Sequence, residues 1–343
     1  ELAGEKISSR VRALWLGYSA LSSVILFGTT SVLCYDVAPM PLFLVIPLAV
    51  YLLTFILCFS GREIYIRPIY YALFIVHVVC YGGDVLNNGE SHVLSSSLFM
   101  IFLLYASCMI CHGELYRLRP ASSQLTEFYL QLSIGGFIGS VCAAIVAPLL
   151  FSDGYQELPI ALGILTILIS ASLLFERVQV FPGVPRRWDR LLVGALPVIA
   201  IVLMCREYGL SHDRLVHNSR SFYGILRVYD NWDATVKSMT RHLVNGRIRH
   251  GSQLLDPDRR FDSISYYGPQ GGLGLSIAAL RGRGALRVGV VGLGAGAAMN
   301  YAESGDYFRL YELNPDVIPV AHKLFTYLGR GEVGPQTDVA DSL

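Results

Sequence analysis

Apolar and polar positions divide the chain into two patterns. Over residues 1–205, long apolar runs are separated by short polar breaks. A hydrocarbon core about 30 Å thick needs roughly 20 residues of helix, and lipid gives unpaired backbone groups no water partners. Seven runs meet that description as helical spans, near 13–35, 41–60, 66–83, 93–112, 125–151, 158–175 and 190–205. The third and seventh are short, and the seventh contains Pro197. After residue 205 the runs shorten and begin to alternate. Residues 206–219 read as a polar connector, and Arg220–Asp230 alternates as a strand does. Asn245-Gly246 lies between two strand-like runs and predicts a tight hairpin, because such turns need positive φ. Residues 220–272 are therefore expected to form a small antiparallel β region. Leu273–Leu280 reads as a short helix, Leu286–Val291 as a buried strand, Phe308–Glu312 as a second strand, and Pro315 to Leu328 as a helix.

Composition sharpens this division. The chain has 343 residues, 53% hydrophobic and 15% charged, with a net charge of +1 and a mean hydropathy of +0.48. These values exclude a disordered chain and give no basic field for nucleic acid. Residues 1–205 hold 11 Lys/Arg and 12 Asp/Glu, leaving 16 and 14 for residues 206–343. All seven cysteines lie in the apolar part, so the polar part has no disulfide framework. The eleven basic residues fall in alternate loops, with none in the loops between, so all lie on one side of the spans. By the positive-inside rule this places the N-terminus in the cytoplasm. Seven crossings then put residues 206–343 on the non-cytoplasmic side. Without the seventh they would lie in the cytoplasm.

Several groups in the apolar part invite a chemical reading. Cys108-Met-Ile-Cys111-His112 has the C-x-x-C-H spacing of covalent haem attachment. It closes an apolar helix at the predicted cytoplasmic end, so no haem is expected there. No metal site is expected either. Gly135 and Gly139 make a small-residue helix-packing surface. His77, Glu114 and Glu127 are ionisable groups in or beside spans, which makes them candidates for a transport path.

The richest motif is Val291-Gly292-Leu-Gly294-Ala-Gly296-Ala-Ala. A strand enters a bend of three glycines, an Ala-rich helix start follows, and the next strand ends in Glu312, 20 residues after Gly292. Glycines permit a tight turn and close approach of a cofactor, and an acid at that distance can bind ribose hydroxyls. The order predicts a Rossmann-like nucleoside-binding βαβ unit over 273–343, C-terminally incomplete. The G-x-G-x-G spacing favours an S-adenosyl compound over a dinucleotide.

The whole chain resembles the C-terminal part of the bacterial membrane proteins described as fused major-facilitator-like/spermidine synthase proteins. In the apolar part the resemblance rests on Leu14-Trp-Leu-Gly-Tyr-Ser-Ala, Asp36-Val-Ala-Pro, Pro47-Leu-Ala-Val-Tyr-Leu-Leu-Thr-Phe, Cys111-His-Gly-Glu-Leu and Leu125-Thr-Glu-Phe-Tyr-Leu. In the polar part it rests on Arg220-Ser-Phe-Tyr-Gly, His250-Gly-Ser-Gln253, Tyr266-Tyr-Gly-Pro269 and the glycine run. It implies a multi-pass protein of the bacterial inner membrane whose soluble domain is spermidine synthase-like. Such enzymes move an aminopropyl group from decarboxylated S-adenosylmethionine to a diamine, with a carboxylate taking the amine proton. Carried over, Gly292, Gly294 and Gly296 face the cofactor, Glu312 holds its ribose, Gln253 lies near cofactor and amine, and Tyr266 and Tyr267 flank the amine channel. The resemblance implies a catalytic base beyond Leu343. Leu293 and Ala295 replace the usual acid of the glycine loop, Gly268 and Pro269 the acid after the tyrosines, and Glu312-Leu-Asn314 the usual Glu-x-Asp. Three readings follow: a membrane-tethered S-adenosyl-dependent transferase, a non-catalytic subunit of a larger membrane complex, or half of a transporter with a polar cavity between its spans.

Overall fold

The computed structural model describes residues 7–37, 40–61, 64–81, 93–175 apart from 153, parts of 185–198, 214–329 apart from 222 and 247, and 336–341. The chain divides into two units, 1–212 and 213–343.

The first unit is helical. Helix α1 (Ser9–Ser31) starts where the Ser8 hydroxyl accepts from the Val11 N–H, and it runs on through a π-helical turn at Val32–Val37. Next come α2 (Leu42–Phe59), α3 (Arg67–Tyr81), α4 (Val93–Arg117), α5 (Leu125–Val141) and α6 (Glu157–Phe175). Helix α5 continues through a π turn at Cys142–Val146 into Ala147–Leu150. Among the described residues, five of these helices are long and apolar enough to cross a membrane. The third expected span is seen as the 15 residues of α3, about 22 Å at 1.5 Å per residue. The expected seventh span falls mostly outside the described residues.

Burial separates the lipid-like faces from the core. Leu44, Val45, Leu52 and Ile56 of α2 and Leu149 and Leu150 after α5 are exposed. So much open apolar surface is foreign to a soluble monomer and natural to lipid contact. Helix α4, apolar nearly all round, is the buried centre, with Met100, Leu103, Leu104, Cys108 and Cys111 closed off from solvent. Helices α1 and α5 pack closely through the expected small residues. A Cβ on Gly135 would stand 2.5 Å from the Leu16 carbonyl oxygen, and one on Gly139 would collide with that of Ala20. The Ser19 hydroxyl donates to the Leu132 carbonyl across the same seam at 2.6 Å.

The second unit holds two sheets. The first is antiparallel in the order β1 (Leu215–Ser221), β2 (Gly224–Asp233), β3 (Ser238–Asn245), β4 (Ile248–Leu254). The sequence reads one strand at 220–230. The structure has two, because the chain doubles back between Ser221 and Gly224, which pair with each other, as Arg220 does with Ile225. Residues 215–219, expected within the connector, thereby belong with Arg220 and Ser221 to an edge strand. The predicted hairpin is present, shifted by one residue. Asn245 is the last paired residue, opposite Ile248, and Gly246 takes the positive φ of 59°.

After helix α7 (Gly272–Arg281) comes a three-stranded parallel sheet in the order β5 (Arg287–Val291), β6 (Tyr307–Glu312), β7 (Gln336–Asp341). The Ala-rich segment after the glycines forms a five-residue 3-10 turn, Ala297–Tyr301, in place of a longer helix. Helix α8 (Val317–Leu324) is shorter than Pro315–Leu328 because the backbone turns extended at Phe325. Strand β5 differs from the buried strand expected: Arg287, Gly289 and Val291 are exposed and only Val288 and Val290 face the core, because one face of the sheet is uncovered among the described residues, as the exposed Arg309 beside Gly289 on β6 also shows. One core joins the sheets, with Leu226, Val228 and Leu243 of the first against Leu293, Met299, Phe308, Leu310 and α8.

Candidate functional site

The bend after β5 follows from its glycines. Gly292, Gly294 and Gly296 have φ of 96°, 55° and 81°, all in the region that L side chains avoid. Gly292 N–H still donates to the Tyr311 carbonyl at 2.8 Å, extending the β5–β6 ladder by one step. The chain then turns, and the Leu293 N–H points at Glu312 Oε2, 2.9 Å away. The Glu312 carboxylate also accepts from the Leu313 and Asn314 N–H groups, both at 2.9 Å to Oε1. The bend and the terminal acid, 20 residues apart in sequence, are thus joined.

The three glycines have different surroundings. A Cβ on Gly292 would meet nothing within 4 Å. One on Gly294 would collide with the carbonyl oxygen of His250 in β4, and one on Gly296 would press on Leu328 at 3.3 Å. Close approach at Gly294 therefore serves the chain's own backbone. The Ala295 N–H donates to that His250 oxygen at 3.4 Å, and Gly251 is crowded by the Ala295 methyl.

Strand β4 gathers the other expected residues. Gln253 is buried, and both ends of its amide are engaged. Nε2 donates to the Arg260 carbonyl (3.1 Å) and to Thr326 Oγ1 (2.6 Å), while Oε1 accepts from the Thr326 N–H (3.1 Å). Tyr266 is half-exposed and donates to the Arg249 carbonyl at 3.3 Å, with its ring 4.5 Å from that of Tyr267. Burial, with Tyr266 beside it, pushes the Tyr267 phenol upward. The Tyr301 hydroxyl holds the Tyr267 carbonyl at 2.5 Å.

Three further groups bear on the site. His250 is half-buried; burial pushes its imidazole down, and the Glu312 charge pulls it partly back. It stands in the run His250-Gly-Ser-Gln253, the only sequence cue to it. His242 is buried between the Ser252 hydroxyl on Nδ1 and Asn231 Oδ1 on Nε2, both at 2.7 Å, and burial lowers it to about 4. Asp306, also buried, accepts from the Leu286 and Glu303 N–H groups (2.6 and 2.9 Å) and from Arg281 Nη1 (2.7 Å). Burial alone would raise its pKa, but those donors together hold it below the ordinary carboxylate value. It clamps the starts of β5 and β6 to the end of α7, a role with no local sequence signature.

In the helical unit, Glu114 accepts from Tyr65 and Tyr71 (2.8 and 3.0 Å), Arg67 Nε (2.7 Å) and Arg117 Nη1 (3.1 Å). Gly113 makes room for the Tyr65 ring beside it. Glu127 pairs with Arg12 at 2.6 Å, and His77 Nδ1 donates to the Leu73 carbonyl at 2.7 Å. Cys108 and Cys111 are fully buried, and His112 bonds Thr54. Among the described residues no three His, Cys, Asp or Glu side chains converge as metal ligands. No protein-family model, curated protein or solved structure matches this chain.

Proposed function

We propose that the chain is a membrane-anchored, spermidine synthase-like protein whose Rossmann-like domain takes an S-adenosyl-type nucleoside, such as decarboxylated S-adenosylmethionine, at the mouth of the glycine bend. One observation carries the reading: the Glu312 carboxylate lies directly under the bend, bonded to the Leu293 N–H at 2.9 Å. A carboxylate offers about four lone-pair sites, and three backbone N–H groups take three of them. One remains for a ribose hydroxyl. The open side of Gly292 is where a nucleoside can reach the backbone. Half-exposed Tyr266 and its neighbour Tyr267 supply an aromatic wall. The parallel order β5-β6-β7 suits one half of a doubly wound sheet.

On this reading the anchor is multi-pass with seven spans in a bacterial inner membrane, and its basic loops face the cytoplasm. A second reading, a non-catalytic subunit of a larger membrane complex, draws on the packing of Gly294 and Gly296 against their own chain and on the fully engaged Gln253 amide.

Calorimetric titration of the detergent-solubilised protein with decarboxylated S-adenosylmethionine and with methylthioadenosine separates the two. Saturable binding weakened at least tenfold by Gly292→Ala supports the nucleoside site. No heat at millimolar ligand overturns it and leaves the subunit reading.

A further inference from the structure

Strand β4 carries a bulge, and its extra residue is His250. Leu243 of β3 pairs with Gly251 and Val244 pairs with Arg249, so His250 lies opposite neither. Bulges re-aim a residue and recur beside functional sites. Here the His250 carbonyl reaches the glycine bend, 3.4 Å from the Ala295 N–H. Two residues earlier in the same bend, the Leu293 N–H holds Glu312. On the other side of His250, the Arg249 carbonyl accepts from Tyr266. His250 is thereby tied to the bend and to the aromatic wall, and among the described groups the charge acting on its ring is that of Glu312.

The ring is half-buried and makes no side-chain hydrogen bond among the described residues. Its polar neighbours are committed. The Gln253 amide is engaged at both ends, and the Tyr266 hydroxyl proton goes to Arg249. Burial favours the uncharged imidazole. A neutral imidazole presents one N–H and one lone pair, whichever nitrogen holds the proton. A hydroxyl can donate to the lone pair or accept from the N–H, so the match does not depend on the tautomer.

Ribose brings two vicinal hydroxyls. Glu312 has about one lone-pair site left after its three backbone donors, which suffices for one of them. The other needs a polar group close by that is open to ligand and not already bonded. We infer that His250 is a second ribose contact of the nucleoside site: Glu312 takes one of the vicinal hydroxyls and the His250 ring takes the other. The inference rests on the nucleoside reading and deepens it, since it makes an intact ribose diol the feature that the site selects. The two contacts are unequal, because a hydrogen bond to a carboxylate is charge-assisted and one to a neutral imidazole is not.

The test is calorimetric titration of the full chain in detergent with methylthioadenosine and with its 2′-deoxy and 3′-deoxy analogues, for the parent and for His250→Phe. In the parent, one analogue should bind about thirtyfold more weakly than methylthioadenosine and the other about fivefold. In His250→Phe, methylthioadenosine itself should lose about fivefold, and removing the second hydroxyl should cost nothing further, while removing the first still costs about thirtyfold. If each analogue loses the same factor in parent and variant, the inference is overturned and the nucleoside site stands. Absence of methylthioadenosine binding to the unaltered chain overturns both. Carbethoxylation of His250 by diethyl pyrocarbonate, followed by peptide mass spectrometry on the unaltered chain, decides the matter if the variant does not fold. Saturating methylthioadenosine should suppress it, and an unchanged rate overturns the inference.

Discussion

Replacing Gly294 by alanine tests whether the bend is built for a ligand or for its own chain. The backbone there has φ of 55°, and a side chain in the left-handed region costs about 1–2 kcal/mol. The added methyl also collides with the His250 carbonyl oxygen. That oxygen cannot swing aside freely, since it belongs to β4 and accepts from the Ala295 N–H. Overpacking of this kind adds about 1–3 kcal/mol. The sum is about 3 kcal/mol, which is roughly two powers of ten in the local opening constant. Gly292 is the matched control. Its φ of 96° also penalises alanine, by about 1–3 kcal/mol, but nothing lies within 4 Å of the new methyl. Hydrogen-exchange mass spectrometry on the full chain in detergent reads both variants through peptides spanning 286–300 and 248–254. Gly294→Ala should lose about a hundredfold in protection in both segments, with the loss reaching β4. Gly292→Ala should lose less, and only in the bend. Protection in β4 within threefold of the parent for Gly294→Ala would refute the packing assignment.

Asp306→Asn replaces an acceptor of three donors by a group that also presents its own N–H. The carboxylate is buried, and leaving one of its donors unsatisfied costs about 2 kcal/mol. Amides of β5 and β6 should then exchange roughly thirtyfold faster, while protection unchanged within threefold would remove the clamp role. His242 ordinarily titrates at 6.5 but at about 4 when folded, so the unfolded chain takes up its proton first as pH falls. Its contribution is whole above about 6.5 and is lost as pH drops toward 4. Protection factors of β3 and β4 should decline across that window in the parent and stay flat in His242→Asn; equal slopes would rule the histidine out. Glu114→Gln removes the charge facing Arg67 and Arg117 in a buried setting, at about 3 kcal/mol, or roughly 10 °C in the unfolding midpoint. Fluorescence-detected size exclusion after heating measures it, and a midpoint within about 2 °C of the parent would contradict the estimate.

Much of the architecture was legible along the chain because its causes are local. Apolar runs of span length dictate helices, and five among the described residues are long enough to cross a membrane. The order of β5, the glycine bend, β6 and its closing acid was readable because turn chemistry and strand alternation act over a few residues. So was the packing role of Gly135 and Gly139, although their partner, α1, was not. The remainder depended on contacts between distant parts of the chain. Nothing near residue 294 says that a carbonyl from residue 250 will fill the place of its missing side chain, so three glycines that look equivalent in sequence are not equivalent in space. Gln253 is held by Thr326, 73 residues away. Strand β5 reads as buried from its valines, but only one of its faces is covered, and which face meets the core is set by tertiary packing. Nor does C-x-x-C-H say that His112 will meet Thr54, on another helix, at 3.0 Å. Local sequence decides which elements form and where the chain can turn. Packing decides which groups are closed off and which are left open, because burial and hydrogen-bond satisfaction belong to neighbours in space and not to neighbours along the chain.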